Sequence, residues 1–300
     1  MIKLLPKGKK VTLKESFSIT AATPYIPNHR TTVTVKPYDK SIKFIINRGH
    51  KKVSIPVRGE NNLSAKGLHT TILGNSKGKV RLTEHLLSAL TGMGVTACEI
   101  ELINSDQVPV PDRTAETYSK LIAAAGLKKT RVDNIVAVVT KDIYFTDGMG
   151  SLAILQPSGK TKFFAFVQFK QIFEDQFFKI ELNPENYWNE IMWARSFLTR
   201  ECENERDWRE VVKRLPSLPS KMKNSPVVVK SRGKWVTGIK PLEPVRHKIL
   251  DAIGDLTTLG YPILADITLI RPGHEFHHKL VNYLWDLIQR GERNLINPQG

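Results

Sequence analysis

The sequence has few cysteines and lacks a long apolar run. Cys98 and Cys202 are its only cysteines, and they form no CxxC pair. A disulfide framework is therefore excluded, and Cys98, in the apolar run VTACEIEL, is predicted to be a buried strand thiol. No apolar run approaches the roughly 18 residues that a membrane span needs. The short apolar stretch before Pro6 cannot form a signal-peptide core, so we expect a cytoplasmic protein.

The sequence also has fewer acidic residues than basic ones. The chain carries 45 Lys and Arg residues against 29 Asp and Glu residues, which gives a formal net charge of +16. Such a surplus suits an anionic partner, which could be nucleic acid, an anionic membrane surface or a phosphate-bearing substrate. The lysines are spread along the chain, so charge by itself does not choose among these partners. The 41% hydrophobic content is that of an ordinary globular protein.

Two stretches of the sequence share one pattern of predicted elements. In each stretch a helix that ends at a glycine is followed by a strand, a loop and a second helix. The ranges are 84–94, 96–103 and 114–125 in the first half, and 246–260, 263–270 and 274–290, before Gly291, in the second. Strand-rich sequence precedes each unit, which indicates a duplicated α+β domain.

The duplication predicts a domain boundary near Thr130. The second half carries extra material, which includes a helix that begins at Asn183 and Pro184 and a charged helix over 203–214. The predicted division is an N-terminal α+β domain (1–130), a C-terminal α+β domain with an inserted helix–strand segment (131–291) and a tail (292–300).

Candidate metal ligands stand on the first helix of each unit. His247, Asp251 and Asp255 follow one another at intervals of four, so they share one helix face. The pattern fits a metal site, and it also fits a solvated ion pair, although carboxylates among apolar residues are costly unless they are paired or metal-bound. Glu84 and His85 begin the equivalent helix of the first half. In one interpretation Thr83 is the N-cap, Glu84 stabilises the helix start and His85 packs in the core. In the other, His85 meets His247 at an interface between the halves.

The remaining histidines are less distinctive. RPGHEFHHKL offers His274, His277 and His278 together, and we favour His274 because it follows Gly273 in a loop that can project into a cleft. Composition alone does not show which of the three histidines belongs to a site. His69, in GLHT, is interpreted as a turn or strand residue because no second ligand lies at helical spacing from it.

Several sequence blocks resemble the zinc-dependent UDP-3-O-acyl-N-acetylglucosamine deacetylase family of lipid A biosynthesis, in the family's order and at similar spacings. The blocks are TEHLLSAL at 83–90, GMGV at 92–95, QVPVPDRTA at 107–115, ARSF at 194–197, VRHKILDAIGDL at 245–256 and PGHEFHHKL at 272–280. The resemblance implies two similar α+β domains, each a layered sandwich of β-sheets and two helices, with the active site at the domain interface. It also implies a cytoplasmic hydrolase that releases acetate from the UDP-linked acylated sugar.

The resemblance further implies roles for individual residues. The implied ligands of Zn²⁺, with Fe²⁺ as the alternative metal, are His85, His247 and Asp251. The implied catalytic residues are Glu84 as general base, His274 as general acid, Asp255 as the residue that orients His274, and Ser196 beside the oxyanion. The implied substrate contacts are Lys248 with phosphate, Arg271 near the nucleotide, Phe197 near the acyl chain and Phe169 on the uracil.

The chain departs from the family pattern at three places. The family's early Gly-Leu-His motif is absent, and TPYIPNHRT stands at that point. The family's Asp-Gly-Ser-Ala turn reads Asp112-Arg113-Thr114-Ala115, and its glycine-rich acyl passage is replaced by RLPSLPSKMKNSPVVV. We therefore expect the chemistry to be retained, while recognition of an acyl chain stays open.

Other functions remain as alternatives. A divergent deacetylase could act on another nucleotide sugar or on an N-acetylated amine. A basic nucleic-acid-binding protein is disfavoured, because the sequence has no RNP-like aromatic motif, zinc-finger spacing or basic arm. An inactive relative is disfavoured because the catalytic positions are filled. The expected partner is the UDP-linked substrate, and peripheral contact with an anionic membrane surface is a further expectation.

Overall fold

A computed structural model gives the fold of the chain. It describes residues 1–26, 29–49, 51–63, 70–103, 105–169 and 172–296. The predicted turn or strand at His69 lies outside these residues. The helices are α1 (Glu84–Gly92), α2 (Glu116–Ala125), α3 (Pro184–Glu190), α4 (Glu205–Arg214), α5 (Glu243–Thr257) and α6 (His274–Ile296). The strands are β1 (Ile2–Leu13), β2 (Phe17–Ala22), β3 (Arg30–Lys36), β4 (Ile42–Arg48), β5 (Lys51–Pro56), β6 (Asn62–Leu63), β7 (Ile72–Asn75), β8 (Gly78–Arg81), β9 (Cys98–Ile103), β10 (Leu127–Val139), β11 (Ile143–Thr146), β12 (Leu152–Pro157), β13 (Lys162–Val167), β14 (Gln176–Glu181), β15 (Lys230–Ser231), β16 (Lys234–Trp235) and β17 (Ile263–Ile270).

Two large mixed sheets and the helices between them form the core. In the described residues, the first sheet has the order β2-β3-β9-β4-β5, and the second has the order β1-β10-β17-β12-β11 with β13 and β14 attached through β17. One hydrophobic core extends from Phe44 and Ile100 of the first sheet through Leu90 and Ile253 of the helices to Ile267 of the second. The predicted α+β class is confirmed, and the helix–strand–helix unit occurs twice, as α1-β9-α2 and α5-β17-α6.

The predicted domain boundary falls inside a strand. β10 runs through Thr130 without interruption, and β1 pairs with β10 from Ile2 to Leu13. The first strand of the chain therefore belongs to the sheet of the second half, because backbone pairing with β10 satisfies its hydrogen-bonding groups. The division into 1–130 and 131–291 stays a proposal.

The predicted start of α3 and the predicted end of α2 agree with the structure. Helix α1 ends two residues before the predicted 94, and α5 begins and ends three residues earlier than the predicted 246–260. Asn183 caps α3 by accepting a hydrogen bond from the Asn186 backbone N–H, and Gly126 follows α2 at a φ of +65°. The prediction that Gly291 ends the last helix is wrong, because α6 continues to Ile296. A glycine inside a helix costs only about 1 kcal/mol, which the packing of α6 against β1 outweighs.

The inserted segment builds a small core of its own. Trp208 of α4 is fully buried, and it packs with Cys202, Leu218, Met222 and neighbouring valines. The predicted strand at 227–230 is reduced to a bridge between Val228 and Phe197 and to the two-residue strand β15. Cys98 is buried at the start of β9 and both cysteines are unpaired, as the sequence predicts, and Cys202 is buried as well.

Candidate active site

Helices α1 and α5 cross so closely that their polar residues meet. A Cβ atom at Gly254 of α5 would overlap the backbone of Glu84 at the start of α1. The rings of His85 and His247 lie 5.3 Å apart between their centroids. The predicted meeting of the two helix starts is therefore present, and the close crossing at a glycine produces it.

Backbone carbonyls orient both of these imidazoles. His85 Nδ1 donates a hydrogen bond to the carbonyl of Thr114 (2.9 Å), and His247 Nδ1 donates to the carbonyl of Ala194 (3.0 Å). Because a carbonyl only accepts, Nδ1 carries the proton and Nε2 keeps its lone pair. This arrangement of a second hydrogen bond is typical of metal-binding histidines. Burial lowers the pKa of His247 to about 4, which keeps the ring neutral at pH 7.

Asp251 completes the candidate metal group. Its Oδ1 lies 3.4 Å from His247 Nε2, and it is buried without a hydrogen-bond partner among the described residues. His85, His247 and Asp251 each offer a ligand atom within 4.8 Å of the others. Burial alone would raise the pKa of Asp251, but the facing imidazoles and Lys248 outweigh it and lower that pKa well below its usual range. An orphaned buried carboxylate oxygen facing two imidazoles fits a cation.

Asp255 holds a second histidine group beside the first. Its Oδ2 accepts hydrogen bonds from His274 Nδ1 (2.8 Å) and His277 Nδ1 (2.7 Å), and its Oδ1 accepts one from the Thr71 hydroxyl. This group also has a metal-binding composition, but its carboxylate oxygens are already engaged by these donors. We therefore assign the cation to the group that contains Asp251.

His274 is positioned as a cationic proton donor. Its Nε2 lies 3.6 Å from Asp251 Oδ2. Burial by itself would lower the pKa of His274, but the carboxylates of Asp255 and Asp251 outweigh it and raise that pKa to about 9. The imidazole is therefore protonated at neutral pH.

Glu84 is buried beside these groups. Its carboxylate accepts hydrogen bonds from the Thr71 backbone N–H (3.0 Å) and the Thr70 hydroxyl (3.1 Å). Burial raises the pKa of Glu84, and the positive charge of His274 opposes this increase. The predicted N-cap role of Thr83 is wrong, since its backbone is already helical and its buried hydroxyl makes no capping hydrogen bond.

Predicted substrate residues line one side of the metal group. Phe197 lies edge-on to His247 with 5.8 Å between ring centroids, and Phe169 lies 5.1 Å from Phe197. Lys248 Nζ lies 5.4 Å from the Phe197 ring centroid and 3.0 Å from Asp251 Oδ2. The Ser196 hydroxyl donates to the carbonyl of Arg113 (3.2 Å). Three of the four predicted substrate contacts thus lie together beside the metal group, and Ser196 precedes Phe197 in the chain.

Arg271 is placed differently from the other predicted residues. It is exposed at the end of β17, and its guanidinium covers the turn at Gly150, where an added Cβ would lie 2.6 Å from Nη1. The Ser151 hydroxyl donates to its carbonyl (3.0 Å). Within the described part of the chain, none of its hydrogen bonds reaches another predicted site residue.

Several supporting residues escaped the sequence-based prediction. His277 shares Asp255 with His274, and its place one helical turn further along α6 was the available signal. Buried Glu243 accepts hydrogen bonds from the backbone N–H and the guanidinium of Arg195. Arg195 directly follows Ala194, whose carbonyl orients His247. Thr70 and Thr71 lie far from the other site residues in sequence, and no local pattern marks them.

Among the residues that the structure describes, no helix combines the length and apolarity needed to cross a bilayer.

Comparison with known proteins agrees with the resemblance of the sequence blocks. A family model described as UDP-3-O-acyl N-acetylglycosamine deacetylase matches residues 10–286. A UDP-3-O-acyl-N-acetylglucosamine deacetylase of Campylobacter fetus is 31% identical over 252 residues, which cover 82% of this chain and 81% of that protein. Proteins of the same name from Anaeromyxobacter dehalogenans and Myxococcus xanthus are each 30% identical, over 83% and 84% of this chain and 78% and 79% of their own. The chain therefore belongs to the UDP-3-O-acyl N-acetylglycosamine deacetylase family.

Proposed function

We propose that this protein is a zinc-dependent hydrolase that removes the N-acetyl group of UDP-3-O-acyl-N-acetylglucosamine and releases acetate, an early step of lipid A biosynthesis. The observation that carries the proposal is the buried Oδ1 of Asp251, which has no hydrogen-bond partner in the described part of the chain. It faces His85 and His247 beside two proton-transfer groups. The names of the relatives support the choice of substrate.

The donor set fits zinc. Two imidazole nitrogens and one carboxylate are a usual catalytic zinc set, and they leave a coordination position for water or substrate. When bound, the metal supplies Lewis acidity that lowers the pKa of water and polarises the amide carbonyl. Fe²⁺ is the alternative metal, since the same ligands suit it.

Glu84 and His274 divide the proton transfers between them. Glu84 accepts the proton of the attacking water, and the hydrogen bonds from Thr70 and Thr71 hold its carboxylate in place. His274 is protonated at neutral pH and donates its Nε2 proton to the departing amine nitrogen. Asp255 accepts from His274 Nδ1, so it fixes the ring and stabilises the imidazolium.

The remaining residues bind the substrate in this proposal. Lys248 contacts a phosphate, the Ser196 hydroxyl contributes to the oxyanion, and Phe197 contacts the acyl chain, with Phe169 and Arg271 on the uridine. The net charge of +16 favours a diphosphate substrate and contact with an anionic membrane surface. The cytoplasmic location expected from the sequence stays a prediction.

A divergent substrate is the second candidate. The segment that replaces the family's glycine-rich acyl passage packs into its own small core around Trp208. A different segment at this point favours a substrate with a different acyl length or a different sugar substituent. The reaction in this candidate is the same hydrolysis of an amide.

The decisive experiment measures free amine released from UDP-3-O-acyl-N-acetylglucosamine by the zinc-loaded protein. We expect turnover that a chelator abolishes and that added zinc restores. UDP-N-acetylglucosamine, which lacks the acyl chain, tests whether the acyl chain is recognised, because an acyl-specific enzyme turns it over far more slowly. Absence of amine from both substrates, with zinc bound, would reject the proposed function.

A further inference from the structure

A cavity lies between the two large sheets, at the ends of α1 and α5 that are remote from the candidate metal group. Thr91 of α1 and Thr257 of α5 line it, and their hydroxyls share a hydrogen bond of 2.7 Å. His85 and Asp251 each stand six residues earlier on the same helices, which is about 9 Å along the helix axis. The cavity is therefore separate from the candidate active site.

The cavity has the size and the walls of a ligand site. Its volume of about 370 Å³ lies in the usual range for ligand pockets, which is about 300–1,000 Å³. Isoleucine, leucine and valine are the largest group among its lining residues, and Ile253 and Ile267 are buried members of the core. Lys7, by contrast, is exposed. The cavity thus leads from the surface into an aliphatic interior, which favours an alkyl chain because burial of apolar surface is favourable.

The described lining residues include two lysines and no aspartate or glutamate. Both lysines, Lys7 and Lys10, belong to β1. In a regular strand, residues three apart point to opposite faces. The pairing of β1 with β10, however, shifts register between Pro6 and Lys9 and again between Lys9 and Val11. Because such irregularities redirect side chains, both lysines can line the same cavity.

These two lysines differ from their neighbour Lys9, which lies outside the cavity. Lys9 Nζ forms an ion pair with Asp133 (2.7 Å), whereas Lys7 Nζ donates to the carbonyl of Gly159 (2.9 Å). Burial lowers the pKa of Lys10, because within the described chain its ammonium loses water without gaining a carboxylate. The positive charge at the opening of the cavity therefore suits an anion.

Asn134 supplies a buried polar group without a partner. It lines the cavity, it is 9% exposed, and in the described part of the chain its Oδ1 makes no hydrogen bond. It lies on β10 opposite the irregular part of β1 between Pro6 and Lys9. A buried amide without a partner is costly, and its rotation can offer either the oxygen or the NH₂ group. A polar ligand group at this point would satisfy it.

We propose that this cavity binds an amphiphile that has one acyl chain and an anionic head group. The chain occupies the aliphatic interior, and the head group lies at the opening with Lys7 and Lys10, beside the Asn134 amide. The head group is the carboxylate of a fatty acid or the phosphate of a single-chain lipid, since both accept charge-assisted hydrogen bonds from an ammonium group. This site goes beyond the proposed function, because it requires neither the metal nor the hydrolysis of an amide.

Calorimetric titration of the zinc-loaded protein with dodecanoate and with dodecyl phosphate, below their micelle concentrations, tests the site. The charge variant is Lys10→Met, and its matched control is Lys9→Met on the same strand. The volume variant is Leu182→Trp, because Leu182 lines the cavity, and its control is Leu182→Met. We expect Lys10→Met and Leu182→Trp to weaken binding at least about tenfold, with both controls within about twofold of the wild type. Melting temperatures show that each variant is folded.

Further probes identify the head group and the location. Dodecyltrimethylammonium, with the same chain and a cationic head, should bind at least about tenfold more weakly than dodecanoate. The anionic probe that binds more tightly identifies the head group. Phe197→Ala, beside the candidate metal group, should leave binding unchanged.

Four outcomes would overturn the inference. They are no binding of either anion by the wild type, equal affinity of Lys10→Met and Lys9→Met, full binding by a folded Leu182→Trp variant, and loss of binding in Phe197→Ala. Binding of these probes involves no acetate release, so its failure is distinguishable from failure of the proposed function.

Discussion

Gly254 of α5 lies against the backbone carbonyl of Glu84 on α1, and this contact sets the separation of the two helices that carry His85 and His247. A β-carbon at residue 254 has no space, because the atom that it would meet belongs to the backbone and cannot rotate away. The spacing of the candidate metal ligands therefore depends on the absence of a side chain at one position.

Gly254→Ala should separate the helices and lower both stability and zinc affinity. Alanine normally favours a helix over glycine by about 1 kcal/mol, so a net loss of about 1–3 kcal/mol would show that the overlap dominates. Gly291→Ala in α6 is the matched control, since its added Cβ would lie 3.7 Å from the nearest backbone oxygen, that of Ile2. We expect the control to be neutral or stabilising in urea unfolding. A stable Gly254→Ala variant with full zinc content would contradict the role given to this crossing.

Asp251→Asn should release the metal while the fold persists. The substitution removes the negative charge that faces His247, so we expect zinc affinity to fall at least about 100-fold. Zinc per chain after dialysis against a weak chelator measures the effect. Asp266→Asn, which alters an ion pair with Lys162, provides a control that should keep its zinc. Retention of zinc by Asp251→Asn at the wild-type level would remove Asp251 from the ligand set.

Glu84→Gln should keep the metal and lose turnover. Glutamine preserves an oxygen acceptor for the Thr71 N–H but cannot take a proton from water, so we expect a loss of about 10²–10⁴-fold in kcat. Zinc content and kcat are measured on the same preparation. Glu116→Gln, which alters a glutamate at the start of α2, should leave both quantities unchanged. Wild-type turnover by Glu84→Gln would assign the base to another residue.

The pair of Arg195 and Glu243 should make stability depend on pH. Burial alone would raise the pKa of Glu243, but hydrogen bonds from Arg195 and the Lys240 N–H lower it below its ordinary value of 4.5. A lowered folded-state pKa means that the stabilisation is complete above about pH 4.5 and is lost as the pH falls through the folded-state pKa.

Glu243→Gln should therefore destabilise the protein by about 2–3 kcal/mol at pH 7, because it leaves Arg195 without its charge partner. The difference from the wild type should shrink as the pH is lowered below 4.5. Urea unfolding over this range measures the difference. The control is Glu210→Gln, because the pair of Glu210 with Lys213 is solvent-exposed and should contribute little to stability. A difference that is independent of pH would contradict the assigned pKa.

The sequence by itself determined the local features. Asn183 before Pro184 specifies a helix start, and Gly126 specifies a helix end, because these effects act between residues that are close along the chain. The spacing of His247, Asp251 and Asp255 places them on one face of α5 for the same reason. The quoted sequence blocks were sufficient to indicate the family.

Tertiary structure decided the features that depend on distant segments. Two examples are the pairing of β1 with β10 in the second sheet and the sharing of Asp255 by His274 and His277. Both follow from packing between elements that are far apart in sequence. No local periodicity encodes which carbonyl will accept from a given imidazole. Such contacts form only when the helices and loops are brought together, since their free energy depends on burial and exclusion of water, which a linear sequence does not specify.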